Sequence, residues 1–306
     1  MSKHSPVEAT APSITVVVAT PGGWADYRKM FGGHRTAVEA AGGELIVADG
    51  SGLPAPTRDV LGPGTTWVSA PGEGVYQLHA RAFPLARGPV VLVTEDHCQV
   101  DPDWALTALD LHREYPEASV IGGVVENGAP QRRADWALFF VGHLRDMPSV
   151  GRARRVPMAG ITNVSYKRAA IEDMRPIGGS GLNQALHQRV LDAKGEVVLI
   201  DDRLRVVHVQ SPGMRTAFSI SWHSARTAAA MRREQITRLS FLRIAAAPVY
   251  PFVFTALIAA QTVRRRYHPL AFATSSPLIL AMLTQRAIAE LVGFFAGPGD
   301  SAARFP

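Results

Sequence analysis

The sequence predicts an α/β fold: a mostly parallel sheet with helices on both faces, followed by an apolar helical tail. Three observations carry this reading. Strand and helix patterns alternate four times between residues 14 and 125. The strand runs are continuously aliphatic rather than alternating, as in sheets covered on both faces. The last third changes character, with long uncharged stretches divided by arginines.

Ile14 to Ala19 (ITVVVA) is the first strand, followed by a turn at Pro21-Gly22-Gly23. Asp26 to Ala41 has helical spacing and stops at Gly42-Gly43, a C-cap signal. Glu44 to Ala48 is the second strand and runs into Asp49-Gly50-Ser51-Gly52. After a Pro/Gly-rich loop, Thr66 to Ser69 forms a short strand, and Glu73 to Arg87 a helix closed by Gly88. Pro89 to Thr94 is a third apolar strand and leads into Glu95-Asp96-His97. Asp101-Pro102-Asp103-Trp104 reads as an N-cap with proline in the first turn of a helix to about Tyr115. Ser119 to Val125 is another strand. Residues 126–180 are less regular and hold Trp136, Arg152, Arg154, Arg155 and Gly160-Ile161-Thr162-Asn163. Residues 182–194 read as helix, and 196–200 and 204–208 as two short strands. The expected divisions are a disordered stretch over 1–13, an α/β domain over 14–215 and a basic, apolar helical region over 216–306.

Apolar residues make up 47% of the 306 and charged residues 19%, enough for a core and too little polarity for wholesale disorder. The single cysteine, Cys98, excludes an internal disulfide or a Cys-cluster zinc site. Met1 to Ser13 is polar and contains Glu8, so no cleaved secretory signal is expected and the α/β domain should face the cytoplasm. The net charge of +6 is unevenly spread: residues 1–202 carry 19 Lys+Arg against 23 Asp+Glu, and residues 203–306 carry 13 against 3. A basic, apolar tail points to an anionic membrane surface. No aromatic-interleaved basic patch or zinc-finger spacing occurs, so no nucleic-acid partner is expected. No G-x-G-x-x-G follows the first strand and no Walker-type phosphate loop occurs anywhere, which argues against a dinucleotide dehydrogenase and a P-loop NTPase.

In the tail, Ser219 to Arg243 is a basic helical segment. Ile244 to Val263 carries no charge, although Pro248 and Pro251 interrupt it. Arg264-Arg265-Arg266 follows; Tyr267 to Gln285 is again uncharged, and Ala287 to Ala296 carries only Glu290. About 20 apolar residues suffice to span a bilayer. Basic clusters at both ends of the first stretch oppose a simple span, so a shallow hairpin or interfacial helices on the cytoplasmic side of the membrane are expected. A helical subdomain packed on the α/β domain is the alternative.

Open parallel sheets bind ligands at the carboxyl ends of their strands. The clusters at 49–52 and 95–97 both follow strands directly. Two such clusters can hold a nucleotide diphosphate together with the Mg²⁺ or Mn²⁺ that its charge requires.

The ordered set ITVVVAT, LIVADGSG and LHARAFPLARGPVVLVTEDHCQVDPDWA resembles the family 2 glycosyltransferases of the GT-A fold, over residues 14 to about 210. The tail, with Ala289-Glu290-Leu291-Val292-Gly293 and Gly297-Pro298-Gly299, is similar to a membrane-associated bacterial branch of that family. The resemblance implies an inverting, metal-assisted transfer of a sugar from a nucleoside-diphosphate sugar to a lipid-linked or cell-envelope glycan. It implies that Thr20, Asp49 and Ser51 border the base and ribose, and that Arg81 lies near the diphosphate. The family's D-x-D motif falls on Glu95-Asp96-His97, which makes His97 the direct metal ligand, with Asp96 as the other candidate and Glu95 in the first acidic place. Asn163, in GITNVSYKR, matches a Gly-x-x-Asn segment near the donor sugar, and Trp136 is a candidate for the acceptor side. Gln235-Ile236-Thr237-Arg238-Leu239 is a partial match to a Q-x-x-R-W motif of processive synthases.

One departure is large. The family usually supplies a carboxylate as general base at the start of a late helix. Here that stretch reads Gly181-Leu182-Asn183-Gln184-Ala185-Leu186-His187, and no Asp or Glu lies between Pro176 and Leu191. Asn183 and His187 share a helix face at i, i+4, so His187 is the candidate base. Asp173, an acceptor already activated such as a lipid phosphate, or loss of activity are the alternatives. The rival reading of the whole chain is therefore a non-catalytic relative that binds a nucleotide sugar at the membrane. A nucleotidyltransferase is disfavoured, because only Pro-Gly-Gly-Trp follows the first strand.

Overall fold

The computed structural model describes residues 11–149, 151, 153–176, 181–233 and 244–304, and the counts below refer to these. Residues 1–10 of the expected disordered stretch, Arg152, Gly179-Ser180, the end of the basic helix after Arg233 and the Gln235–Leu239 motif lie outside them.

Nine strands form one curled sheet. β1 (Thr15–Thr20), β2 (Glu44–Asp49), β3 (Thr65–Ser69) and β4 (Val90–Glu95) are joined by β5 (Cys98–Val100), β6 (Ala118–Asn127), β7 (Arg154–Arg155), β8 (Asn163–Lys167) and β9 (Val197–His208). The order is β3-β2-β1-β4-β8-β6-β9-β5, with β7 on β9. β1 to β4 pair in parallel, as do β6 and β9. β8 runs antiparallel between β4 and β6, and β5 and β7 run antiparallel to β9. The sheet is mostly parallel, with three reversed strands that the alternation in the first 125 residues does not reveal. β9 is one continuous strand rather than the two short ones the sequence suggests.

The helices follow the apolar spacing. α1 (Trp24–Ala40) buries Tyr27, Phe31, His34 and Val38, a stripe at alternating four- and three-residue steps. Gly23 caps it with φ 70°, a backbone state that favours glycine, and a Cβ there would lie 2.3 Å from the Ser51 hydroxyl. α2 (Arg58–Leu61) is a single turn, and α3 (Val75–Ala82) covers the same face as Val17, Ile46 and Val91. α4 (Trp104–Glu114) starts two residues later than the Asp101 signal, with Asp103 at its cap making no side-chain cap bond. α5 (Arg133–Gly142), α6 (Arg168–Ile171) and α7 (Gln184–Ala193) complete the α/β part.

The tail forms α8 (Met214–Arg233), α9 (Tyr250–Arg265) and α10 (Pro269–Ala296). α9 and α10 make a hairpin whose corner holds Arg266 and His268 in left-handed backbone at φ 53° and 48°. The hairpin packs on the α/β part: Trp136 on α5 contacts Tyr267 and His268, and Phe140 contacts Phe272. Ile258, Ile279 and Met282 share one apolar core with Trp104, Trp136 and Phe140. Trp136 is thus a packing anchor. Arg265 donates to the carbonyls of Arg145 and Met147, which gives the middle of the arginine run a protein partner. α10 is long and apolar enough to cross a bilayer, and only 28% of its most apolar window is buried. α9, at 16 residues, is too short to span one, since ~1.5 Å per residue leaves it under the ~30 Å hydrocarbon core.

Candidate active site

The sheet register gathers the predicted polar residues at one rim. Thr20, the last residue of β1, lies opposite Asp49, the last of β2, and Ala19 lies opposite Glu95, the last of β4. Asp49 accepts hydrogen bonds from the Ser51 backbone N–H at 2.7 Å and from the Trp67 indole N–H at 3.2 Å, so its carboxylate is held from both sides. The Thr20 hydroxyl donates to Asp96 at 2.7 Å, and the Thr162 hydroxyl donates to Glu95 at 2.9 Å. Trp24 stands edge-on to Trp67, with ring centroids 6.2 Å apart, and walls the same end of the sheet.

Beside Glu95 and Asp96 is a residue that the sequence reading did not select. His208, at the end of β9, pairs with Cys98 in the β5–β9 ladder, and this carries it next to His97. Its Nε2 lies 2.8 Å from His97 Nε2 and 3.3 Å from Glu95 Oε2, and His97 Nε2 lies 3.0 Å from the same oxygen. His97 Nδ1 is 2.7 Å from Asp96 Oδ1. The ligand atoms of Glu95, His97 and His208 all lie within 4.8 Å of one another. Two imidazoles and a carboxylate converging on one point are a donor set suited to Mn²⁺ or another divalent ion, so the residues present fit a metal.

The electrostatics agree. Burial pushes the His97 imidazole down, but hydrogen bonds to Asp96 and Glu95 outweigh it and raise its pKa to about 10. Burial raises Glu95, while bonds to His208 and His97 hold it well below the usual carboxylate range. Burial and the His97 charge lower His208. The cluster is thus built to keep one positive charge among its carboxylates, a place that either a proton or a cation can take.

The other predicted residues are placed differently. The exposed Arg81 is in an ion pair with Glu73 at 2.6 Å. Asn163 is buried and fully engaged: it accepts from the Trp104 indole at 3.1 Å and donates to the carbonyls of Val124 and Leu204 at 3.1 and 3.0 Å. Asn183 caps α7, accepting from the Leu186 N–H at 2.9 Å, while its amide nitrogen meets Met231 Sδ. Gln184 accepts from Tyr166 and donates to His79 Nδ1. An amide can do both; an ionised carboxylate has no proton to donate. His187 Nε2 meets the Ala170 carbonyl at 2.5 Å, and His187 does not line the cluster's cavity.

One cavity adjoins the cluster and shares lining residues with a second. The smaller, about 180 Å³, is lined by Glu95, His97, His208, His143 and Thr162, among others. The larger, about 570 Å³, runs beneath α8, α9 and α10. Tyr76, His143, Thr162, Ser224 and Arg286 line both. Thr20, Asp49 and Ser51 stand at the same rim outside these cavities.

This sheet order, with its helical cover, is the GT-A fold. The mannosyltransferase PcManGT from Pyrobaculum calidifontis, solved in complex with GDP-Man and Mn²⁺, superposes with a TM-score of 0.57 at 14% identity, covering 92% of this chain and 88% of that one. A mycobacterial protein (TM-score 0.49, 14% identity, 73% and 75% covered) and residues 1–349 of S. aureus TarS with UDP-GlcNAc (TM-score 0.46, 10% identity, 92% and 91% covered) are more distant. No protein-family model matches the sequence, and no curated protein does.

Proposed function

We propose that the chain is a glycosyltransferase that moves a sugar from a nucleoside-diphosphate donor, with inversion, to a lipid-linked or cell-envelope acceptor at the cytoplasmic face of the membrane. The observation that carries this reading is the convergence of Glu95, Asp96, His97 and His208 at the rim where Thr20 and Asp49 end neighbouring parallel strands. The GT-A fold and the GDP-Man and Mn²⁺ bound by the mannosyltransferase of the same fold support it.

In this reading Asp49, Ser51 and the Trp24–Trp67 wall receive the base and ribose. Glu95, His97 and His208 hold the divalent ion, and Asp96 orients His97 through the 2.7 Å contact with its Nδ1. An ion there supplies positive charge against the charge that grows on the leaving diphosphate. Thr20 fixes the Asp96 carboxylate, and Thr162 fixes Glu95. Asn163 positions the site by tying β8 to Trp104 and β9. Arg81 reaches a diphosphate only by leaving Glu73. Membrane attachment is assigned to the α9–α10 hairpin, whose exposed face includes Phe252, Val263, Leu270 and Phe295.

The test is a panel of UDP-, GDP- and dTDP-sugars, each with Mn²⁺, Mg²⁺ or a chelator. Donor hydrolysis or transfer that stops with the chelator and in His97→Ala is expected. No donor binding at all would contradict the reading. A second reading, a nucleotide-sugar-binding protein without turnover, is favoured by one observation: the Asn183 and Gln184 amides stand where the resemblance calls for a carboxylate. Thermal stabilisation by a nucleotide sugar, with no product from any donor or acceptor, would select it.

A further inference from the structure

The smaller cavity begins at the Glu95, His97 and His208 cluster. Those three residues form part of its wall, while Thr20, Asp49 and Ser51 stand outside it. A nucleoside-diphosphate sugar with its nucleoside against Asp49 and its diphosphate at the cluster has only its sugar left to place, and this cavity is next in line. Its volume of about 180 Å³ is room for on the order of a dozen waters, the scale of one monosaccharide ring.

Three polar side chains in the wall have hydrogen-bonding groups without a partner among the described residues. Asn127, at the end of β6, has its Oδ1 held by the Ala129 N–H at 3.0 Å, which leaves its Nδ2 amide with no acceptor. Its backbone N–H donates to the Tyr267 hydroxyl at 3.1 Å, so the residue is tied to the tail hairpin. Ser221, on α8, is 2% exposed and its hydroxyl is unpaired. Helix hydroxyls can bond back to the carbonyl one turn earlier, as Ser275 does to Ala271 at 2.7 Å and Thr284 to Leu280 at 2.8 Å. Neither of those two lines a cavity. Thr227, also on α8, is unpaired as well, so an orphan hydroxyl alone does not make a site. Ser221 differs in lining the cavity together with Asn127 and His143. His143 follows α5, is 8% exposed and lines both cavities. Its ring packs against Phe139 and His208, and neither nitrogen is hydrogen-bonded. Burying polar groups without partners is unfavourable, so three in one wall point to a ligand that supplies the partners.

The charged groups of this wall are mostly committed. Glu95, His97 and His208 contact one another, and Asp135 is paired with Arg132 at 2.6 Å. Arg286 is the one lysine or arginine among the lining residues, and it is the group that an acidic sugar would need. The groups left open are an amide, a hydroxyl and an imidazole, which suit hydroxyls.

We infer that Asn127, His143 and Ser221 select the donor's sugar by hydrogen-bonding its hydroxyls, that this sugar is a neutral ring, and that the tail helix α8 is thereby part of the recognition site. This rests on the glycosyltransferase reading above. A wall built to bond a hydroxyl rejects the analogue that lacks it, because the wall's own buried group then stays unpaired.

The test uses the full chain in detergent micelles with Mn²⁺. Affinities are measured for UDP, GDP, UDP-glucose, UDP-galactose, UDP-glucuronate and GDP-mannose, and for deoxy forms of the best-bound sugar nucleotide, each lacking one hydroxyl. A neutral sugar is expected to bind best. At least one deoxy form should bind wild type about 5-fold more weakly than its parent, and Ser221→Ala should bind the two equally. Ser221→Ala should leave UDP and GDP affinity unchanged and should not lower the melting temperature, because its hydroxyl has no partner to lose. Asn127→Asp, which keeps the acceptor for Ala129, and His143→Phe, which keeps the ring packing, should each abolish the penalty of another deoxy form. If UDP or GDP binds and every deoxy penalty survives in all three variants, the inference is overturned. Tightest binding of UDP-glucuronate, lost in Arg286→Gln, would overturn the neutral assignment. Failure of every nucleotide and sugar nucleotide to bind is instead the failure of the glycosyltransferase reading, and the inference falls with it.

Discussion

His97 Nε2 and His208 Nε2 face each other across 2.8 Å although 111 residues separate them in the chain. Two ring nitrogens approach that closely only with a proton or a cation between or beside them. Glu95 closes the third side. From this contact follows the first prediction. His208→Ala should weaken Mn²⁺ binding as severely as His97→Ala does, by roughly 10- to 100-fold or more. Calorimetric titration of Mn²⁺ into each variant reads it, and an unchanged affinity in His208→Ala would remove that residue from the metal site.

Asp49 is predicted to govern nucleotide affinity. Asp49→Ala leaves the Ser51 N–H and the Trp67 indole without their acceptor and frees the Trp67 ring at the rim. Loss of one or two hydrogen bonds to a charged group is worth about 2 kcal/mol, or a 10- to 30-fold rise in nucleotide Kd. Direct titration with UDP and GDP measures it. If neither nucleotide loses affinity, the base does not sit against β2.

Asn163 should behave as a structural residue. Asn163→Ala strands the buried Trp104 indole N–H and two carbonyls, on Val124 and Leu204. The expected cost is about 2–4 kcal/mol of stability, seen as a lowered denaturant midpoint. Donor Kd in the folded fraction should stay near wild type; a large rise in Kd at unchanged stability would instead put Asn163 in contact with the sugar.

Acid should destabilise the fold through histidines buried as neutral rings. Burial lowers His34, His79 and His112 to about 4 each. His34 is an example: its ring is buried between Tyr27 OH, 2.9 Å from Nδ1, and the Cys98 carbonyl, 2.8 Å from Nε2, and the cost of burying a charged ring outweighs the raising effect of that carbonyl. Unfolded, these rings titrate near 6.5, so between about pH 6.5 and 4 the unfolded chain binds more protons. The contribution of these histidines is therefore complete above about pH 6.5 and falls as the pH drops, by roughly 1 kcal/mol per pH unit for each histidine. Asp146, raised to about 6 by burial, acts in the opposite sense below about pH 6, and His97, held up to about 10 by its carboxylates, makes stability fall as the pH rises above about 6.5. Urea midpoints at pH 7, 6 and 5 test the acid limb: the value at pH 5 should be clearly lower than at pH 7.

Much of the rim was legible because each half is local. A buried strand followed at once by polar residues fixes Thr20, Asp49 and Glu95-Asp96-His97 at one edge of a parallel sheet whatever the loops do. His208 was not legible, because its place comes from a nonlocal ladder between β5 and β9, and the strand that carries it reads as two fragments around Asp201-Asp202-Arg203. The reversed strand β8 was hidden in the irregular stretch 126–180 for the same reason. Arg81 and His187 show the reverse limit. Sequence placed both on helices near the site, but rotation about the helix axis points one to Glu73 and the other to Ala170. The tail's apolar runs announced helices, and the contacts of Trp136, Phe140 and Arg265 reveal that the hairpin packs on the α/β part.

The central claim is most directly tested by a crystal structure of the chain soaked with Mn²⁺ and a nucleoside diphosphate, with manganese located by anomalous scattering. The account predicts manganese at Glu95, His97 and His208, with the nucleoside of the diphosphate against Asp49 and Trp67. Manganese bound elsewhere, or a diphosphate lodged away from this rim, would contradict it.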